Sequence, residues 1–189
     1  GGTSDIDVSS AMGSVGVYAE RSTITGGGKV TVGEKGIGMY LGNSNVNLNG
    51  MQINLNGNDA VGINLDSSTA LTGTGTFNVN GERVVLLNLN SSIPVSSYIN
   101  YDGFTVAAST TSSYVGGNIN NADFYTNGTY SMNGRSTLAM GTNSVILIDS
   151  SANITAGNDT VIGTADGVYG GTMPFAFTGA GATSNIELS

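Results

Sequence analysis

Apolar and polar residues alternate in short bursts along this chain, and four of the bursts are close copies. Val15-Gly16-Val17-Tyr18-Ala19 returns as Ile37-Gly38-Met39-Tyr40-Leu41, as Val61-Gly62-Ile63-Asn64-Leu65 and as Val85-Leu86-Leu87-Asn88-Leu89, at spacings of 22, 24 and 24 residues. The first, third and fifth positions are apolar in every copy. The second reads Gly16, Gly38, Gly62, Leu86 and the fourth Tyr18, Tyr40, Asn64, Asn88. Alternation with period two predicts a strand with one buried face, here carrying the first, third and fifth columns.

A second alternating strand precedes the later copies, as Val30/Val32, Ile53/Leu55 and Phe77/Val79. A serine column, Ser22, Ser44, Ser68 and Ser92, marks a turn after each copy, and a third apolar element follows at Ile24, Val46/Leu48 and Leu71. Three short strands per unit at a fixed period describe a solenoid, each unit stacked on its neighbours. The predicted fold is all-β: a single right-handed parallel β-helix of ~22–24-residue coils, the hand following the usual crossover preference. At ~23 residues per coil the chain holds roughly eight coils.

The register blurs over about 91–135, where Tyr98, Tyr101, Phe104, Tyr114, Phe124, Tyr125 and Tyr130 gather. Gly103-Phe104-Thr105-Val106 has the character of a copy but follows the fourth too closely. Afterwards Ile146-Leu147-Ile148-Asp149-Ser150-Ser151 matches Ile63-Asn64-Leu65-Asp66-Ser67-Ser68, and Ile154-Thr155 matches Ile24-Thr25. Tyr169 falls in the outward column of Tyr18 and Tyr40. Residues 1–189 therefore read as one β-helix fragment, beginning and ending in mid-pattern, with an irregular insertion at about 91–135. Solenoids place functional insertions where the repeat breaks. Tyr98, Tyr101 and Tyr114 are accordingly the candidate ligand-binding residues, bulging from the rod toward a partner.

Charge changes the picture little, because there is so little of it. Charged residues make up 10% of the chain, against ~25% in an ordinary domain. Five Lys+Arg against thirteen Asp+Glu give −8, with no basic stripe to neutralise phosphates, which excludes a nucleic-acid partner. Cysteine is absent, as suits export through an oxidising compartment.

The phrase Ser14-Val15-Gly16-Val17-Tyr18-Ala19, followed by Ser22-Thr23-Ile24-Thr25-Gly26 and Gly36-Ile37-Gly38-Met39-Tyr40, resembles the repeats of large fusobacterial type V autotransporter adhesins. The resemblance covers about two thirds of the chain and is weakest across 91–135. It implies a passenger segment at the cell surface, anchored in the outer membrane through a C-terminal barrel not present in this chain. It also implies a host or bacterial surface protein or glycan as partner, and a stalk or binding role.

An enzyme is the competing class, since polysaccharide lyases and hydrolases also use this architecture and need converging carboxylates. Glu20 and Asp66 share a column, but Gly42 lies between them and Asn90 follows, the residues a turn selects. Arg21, Lys29, Lys35, Arg83 and Arg135 fall in no shared column. Without histidine or cysteine, the usual triad and thiol chemistries are out. Gly57-Asn58-Asp59 and Gly157-Asn158-Asp159 hint at calcium turns, yet the nonapeptide that calcium rolls repeat is missing. The expectation is no catalytic residue, no metal, no cofactor and a monomer not inserted in the membrane.

Overall fold

The structure, a computed structural model, describes residues 3–66, 68–90, 98–100, 104–120, 123–126, 129–132, 135–142, 146–148, 153–156, 160–166, 169–171, 176–178 and 184–186. Among them there is no helix, so none long and apolar enough to cross a membrane. Within each sheet a strand pairs with the one three further along the chain, and the ladders are parallel. The chain is a parallel β-helix.

An eight-stranded sheet runs the length of the stack through Val15–Glu20, Ile37–Gly42, Val61–Leu65, Val84–Asn90, Ser113–Asn120, Arg135–Thr142, Thr160–Asp166 and Ser184–Ile186. A five-stranded sheet comprises Thr3–Val8, Gly27–Val32, Met51–Leu55, Gly75–Val79 and Phe104–Ala108. The third face begins as Thr23–Thr25, Asn45–Asn47 and Ala70–Thr72. The repeat thus converts directly into register: Met39 lies beside Ile63 and Ile63 beside Leu87, while Val30, Ile53 and Phe77 form the facing column.

Between these faces sits the core. Met39, Ile63, Leu87, Ile53, Leu55, Phe77 and Val79 are fully buried, and the Phe77 and Phe104 rings stack at 4.8 Å. Burying a side chain of this size is worth ~1.5–3 kcal/mol, but only when the neighbouring coil is in place to cover it.

The eight-stranded sheet is not straight, and this corrects the expected facing. The third and fifth columns are buried as expected in the later copies, whereas the first is half-exposed, with Val15 40% exposed. The second column faces inward instead. A Cβ on Gly38 would lie 2.9 Å from Ile53 Cγ2, one on Gly62 2.5 Å from Phe77 Cε1, and Leu86 is fully buried. Two successive inward residues mean the strand turns a corner there. Glycine is required where a large side chain faces it, and one coil on, where Val106 takes the register of Phe77, the facing residue is Leu86.

The turns correct other columns. The serine column continues through Thr69 and not Ser68: Asn45 pairs with Ala70, and Ser44 N donates to Thr69 Oγ1 at 3.4 Å. One extra residue in the turn after Asp66 shifts the count, while Ser92 lies outside the described residues. Lys35 and Arg83 do share a column, with Asp59 between them. All three adopt left-handed backbone (φ 54°, 55° and 57° for Lys35, Arg83 and Asp59), two residues before a strand pair in register.

The irregularity expected over 91–135 contracts. Val85 pairs with Val115, an interval of 30, but Val115 pairs with Thr137 and Thr137 with Val161 at ordinary intervals of 22 and 24. The extra residues thus belong to one long coil. Phe104–Ala108 is no copy of the first strand, since it pairs with Gly75–Val79. Ile146–Ile148 pairs with Asp123–Thr126 and Tyr169–Gly171, on a different sheet from Ile63. Tyr169 is therefore not in the column of Tyr18 and Tyr40. Ile154 pairs with Tyr130 and Phe177, in a sheet whose first strand abuts Phe104–Ala108, and so does not continue the column of Ile24.

Candidate functional site

Of the three candidate tyrosines, Tyr114 is the one whose side chain is described, and it is not exposed. Tyr114 is 4% exposed, in register between Val84 and Ser136, because it falls on the inward side of a regular strand of the eight-stranded sheet. Burial pushes its phenol up to about 12. Tyr101 and the side chain of Tyr98 lie outside the described residues.

A different feature comes together on the outer face of the eight-stranded sheet. Tyr18 and Tyr40 are in register, their rings stacked with centroids 5.5 Å apart and planes 16° from parallel. They are 65% and 40% exposed. The same column continues as Asn64, Asn88 and Asn118, whose amides bond along the stack. Asn118 Nδ2 donates to Asn88 Oδ1 at 2.8 Å, and Asn88 Nδ2 to Asn64 Oδ1 at 2.6 Å. Identical side chains in a parallel, in-register stack reach one another, as in other asparagine ladders. A second ladder joins Thr31, Asn54 and Asn78 on the five-stranded sheet.

Where tyrosine gives way to asparagine the surface is indented. A groove of about 400 Å³ is lined by Tyr18, Tyr40, Glu20, Gly42, Asn64 and Asp66, with Leu41, Leu65 and Asn88 completing it. Among its lining residues is Gly42, in ordinary extended backbone, where a Cβ would sit at unstrained distances of 3.6 Å from Glu20 Cγ and 3.7 Å from Asp66 Oδ2. Neither conformation nor crowding demands a glycine there, in contrast to Gly38 and Gly62.

The two carboxylates are held differently. Asp66 Oδ1 accepts from Ser68 N at 3.1 Å, from Thr69 Oγ1 at 2.8 Å and from Asn43 N at 3.1 Å, while Oδ2 shares the Asn43 N–H at 3.0 Å. It clasps the turn and ties it to the preceding coil. Glu20 Oε2 accepts from the Tyr18 hydroxyl at 3.1 Å, and Arg21 lies 3.8 Å from Oε1. That hydrogen bond, then the carboxylate charge, hold the Tyr18 phenol above its ordinary value. The pair rims a groove, with one carboxylate committed to a turn.

Asp59, in the suspected calcium turn, is engaged by Arg83 through Nε and Nη2 at 2.7 and 2.9 Å, which holds its carboxyl below the usual range. Asp159 lies outside the described residues, among which no three potential ligands cluster as a metal site would require. The groove was signalled in the sequence by the switch from tyrosine to asparagine in one column and by Gly42 between two acids in the next. Compared with family models, with curated proteins and with solved structures, the chain matches none of them.

Proposed function

We propose that this chain is an extracellular segment of a secreted bacterial surface adhesin, serving as stalk and binding face for another cell or a host glycoprotein. The observation that carries this reading is the outer face of the eight-stranded sheet, a polar ladder interrupted by a groove with two exposed tyrosines. Such a surface offers aromatic and hydrogen-bonding contact, and a stack of coils holds it at a fixed distance along a rod. Anchoring in the outer membrane through a C-terminal barrel beyond these residues belongs to the same proposal.

The test is adherence of beads coated with the 189-residue chain to bacterial and epithelial cells. Retention above beads carrying the Ile63→Asp variant is expected, and no retention on any cell type retires the adhesin reading. The runner-up, a fragment of a polysaccharide lyase or hydrolase, is supported by Glu20 and Asp66 on either side of Gly42. Release of reducing ends from uronate or neutral polysaccharides, abolished by Asp66→Asn, would favour it.

A further inference from the structure

We propose that the groove over Gly42 binds a neutral saccharide. The inference deepens the adhesin reading and rests on it. Three independent features of the groove point to the same ligand chemistry.

The first is shape. The volume of about 400 Å³ falls within the ~300–1,000 Å³ of small-ligand sites. The indentation exists because Gly42 lacks a side chain that its backbone would accept and its neighbours would accommodate. A sugar-sized recess is thus present at a position where folding alone does not ask for one.

The second is the mixed character of the walls. A pyranose has an apolar C–H face and a rim of hydroxyls, each both donor and acceptor. Tyr18 and Tyr40 supply exposed, rigid rings with a polar tip. Glu20 and Asp66 Oδ2 supply acceptors. The donor comes from the ladder. Asn118 donates to Asn88 and Asn88 to Asn64, but the next residue in line is Tyr40, which has no amide oxygen to receive the Asn64 Nδ2 group. Asn64, with its Oδ1 taken by Asn88, is itself one of the residues lining the groove.

The third is charge. The groove carries two carboxylates, and Arg21, itself exposed, lies 3.8 Å from one of them, Glu20. With Arg21 beside Glu20 the rim keeps a net negative charge, which disfavours uronates and other acidic sugars and leaves neutral hydroxyls as the favoured partners.

The experiment is calorimetric titration of the 189-residue chain with methyl glycosides of glucose, galactose, mannose, N-acetylglucosamine and glucuronic acid. At least one neutral glycoside should bind, and the glucuronide should bind about tenfold more weakly or not at all. Two variants are matched to the geometry. Gly42→Gln fills the recess from a position where a Cβ fits. Tyr40→Asn removes a ring and extends the amide ladder by one member, so both should melt as the parent does. Each should weaken binding by about tenfold or more. The inference is overturned if no neutral glycoside binds, if both folded variants bind as the parent does, or if the glucuronide binds equally well. Bead adherence measured on the same variants separates the two proposals. Adherence that persists in both overturns the saccharide site and leaves the adhesin, whereas glycoside binding without adherence overturns the adhesin alone.

Discussion

Replacing Phe77 by alanine tests the packing that the whole stack depends on. The ring is fully buried, stacks on Phe104 at 4.8 Å and occupies the space that Gly62 leaves open across the core. Truncation of a buried phenylalanine costs ~3–5 kcal/mol, transfer and cavity together. The lost ring pair, worth ~0.5–1.5 kcal/mol beyond area, places this site toward the upper end, at about 4–5 kcal/mol. The hole cannot close by a simple shift, because the strand carrying Gly62 is held in register by ladders on both sides. Against a total stability of ~5–15 kcal/mol, such a loss removes about a third at the upper end of that range and nearly all at the lower. Urea unfolding followed by circular dichroism gives the number directly. Phe77→Leu, which keeps most of the volume but loses the ring pair, should lose about 1–3 kcal/mol, less than alanine. The solvent-side neighbour Asn78→Ser, which removes one ladder bond to Asn54, should lose ~0.5–1.5 kcal/mol. A Phe77→Ala loss below about 1 kcal/mol would refute the core position and the facing of Gly62 with it.

Ile63 lies between Met39 and Leu87 with no exposure, so Ile63→Asp should bury an unpaired charge and unfold the adjoining coils; dichroism and melting identical to the parent would disprove the register. Asn88 donates to Asn64 and accepts from Asn118, so Asn88→Ala should cost about 1–3 kcal/mol at ~0.5–1.5 per bond, read from the urea midpoint. Tyr114, with its folded pKa at about 12, adds an alkaline dependence. Below pH ~10 both states hold the phenolic proton and the contribution is intact. Between pH ~10 and 12 the unfolded chain has released the proton while the folded chain keeps it, so stability falls by about 1.4 kcal/mol per unit, roughly 2–3 kcal/mol in all. Tyr114→Phe should lack this part of the alkaline loss, and an unchanged alkaline melting profile would argue against burial of the phenol.

Much of this architecture could be read directly from residue order. In a parallel in-register stack every coil meets its neighbour at the same offset, so a column of the repeat is also a column in space. That is why Met39, Ile63 and Leu87, or Ile24, Val46 and Leu71, could be aligned from the sequence and are paired in the structure. The same property made the tyrosine-to-asparagine column visible before its ring stack and amide ladder were known.

Only the tertiary structure decided where columns bend, slip or meet sideways. Period two assumes a straight strand, so the corner that turns Gly38, Gly62 and Leu86 inward has no signature in alternation alone. A turn of variable length moves the count without moving the ladder, which put Thr69 in place of Ser68 and sent Ile146 to another sheet. Tyr114 shows the consequence. An aromatic in an irregular stretch of sequence reads as a protrusion, yet pairing with Val84 and Ser136 carries it into the core. The groove over Gly42 is likewise built from residues of adjacent coils and from one absent side chain. Sequence order records each of those residues, but only the lateral stacking of strands places them around a common space.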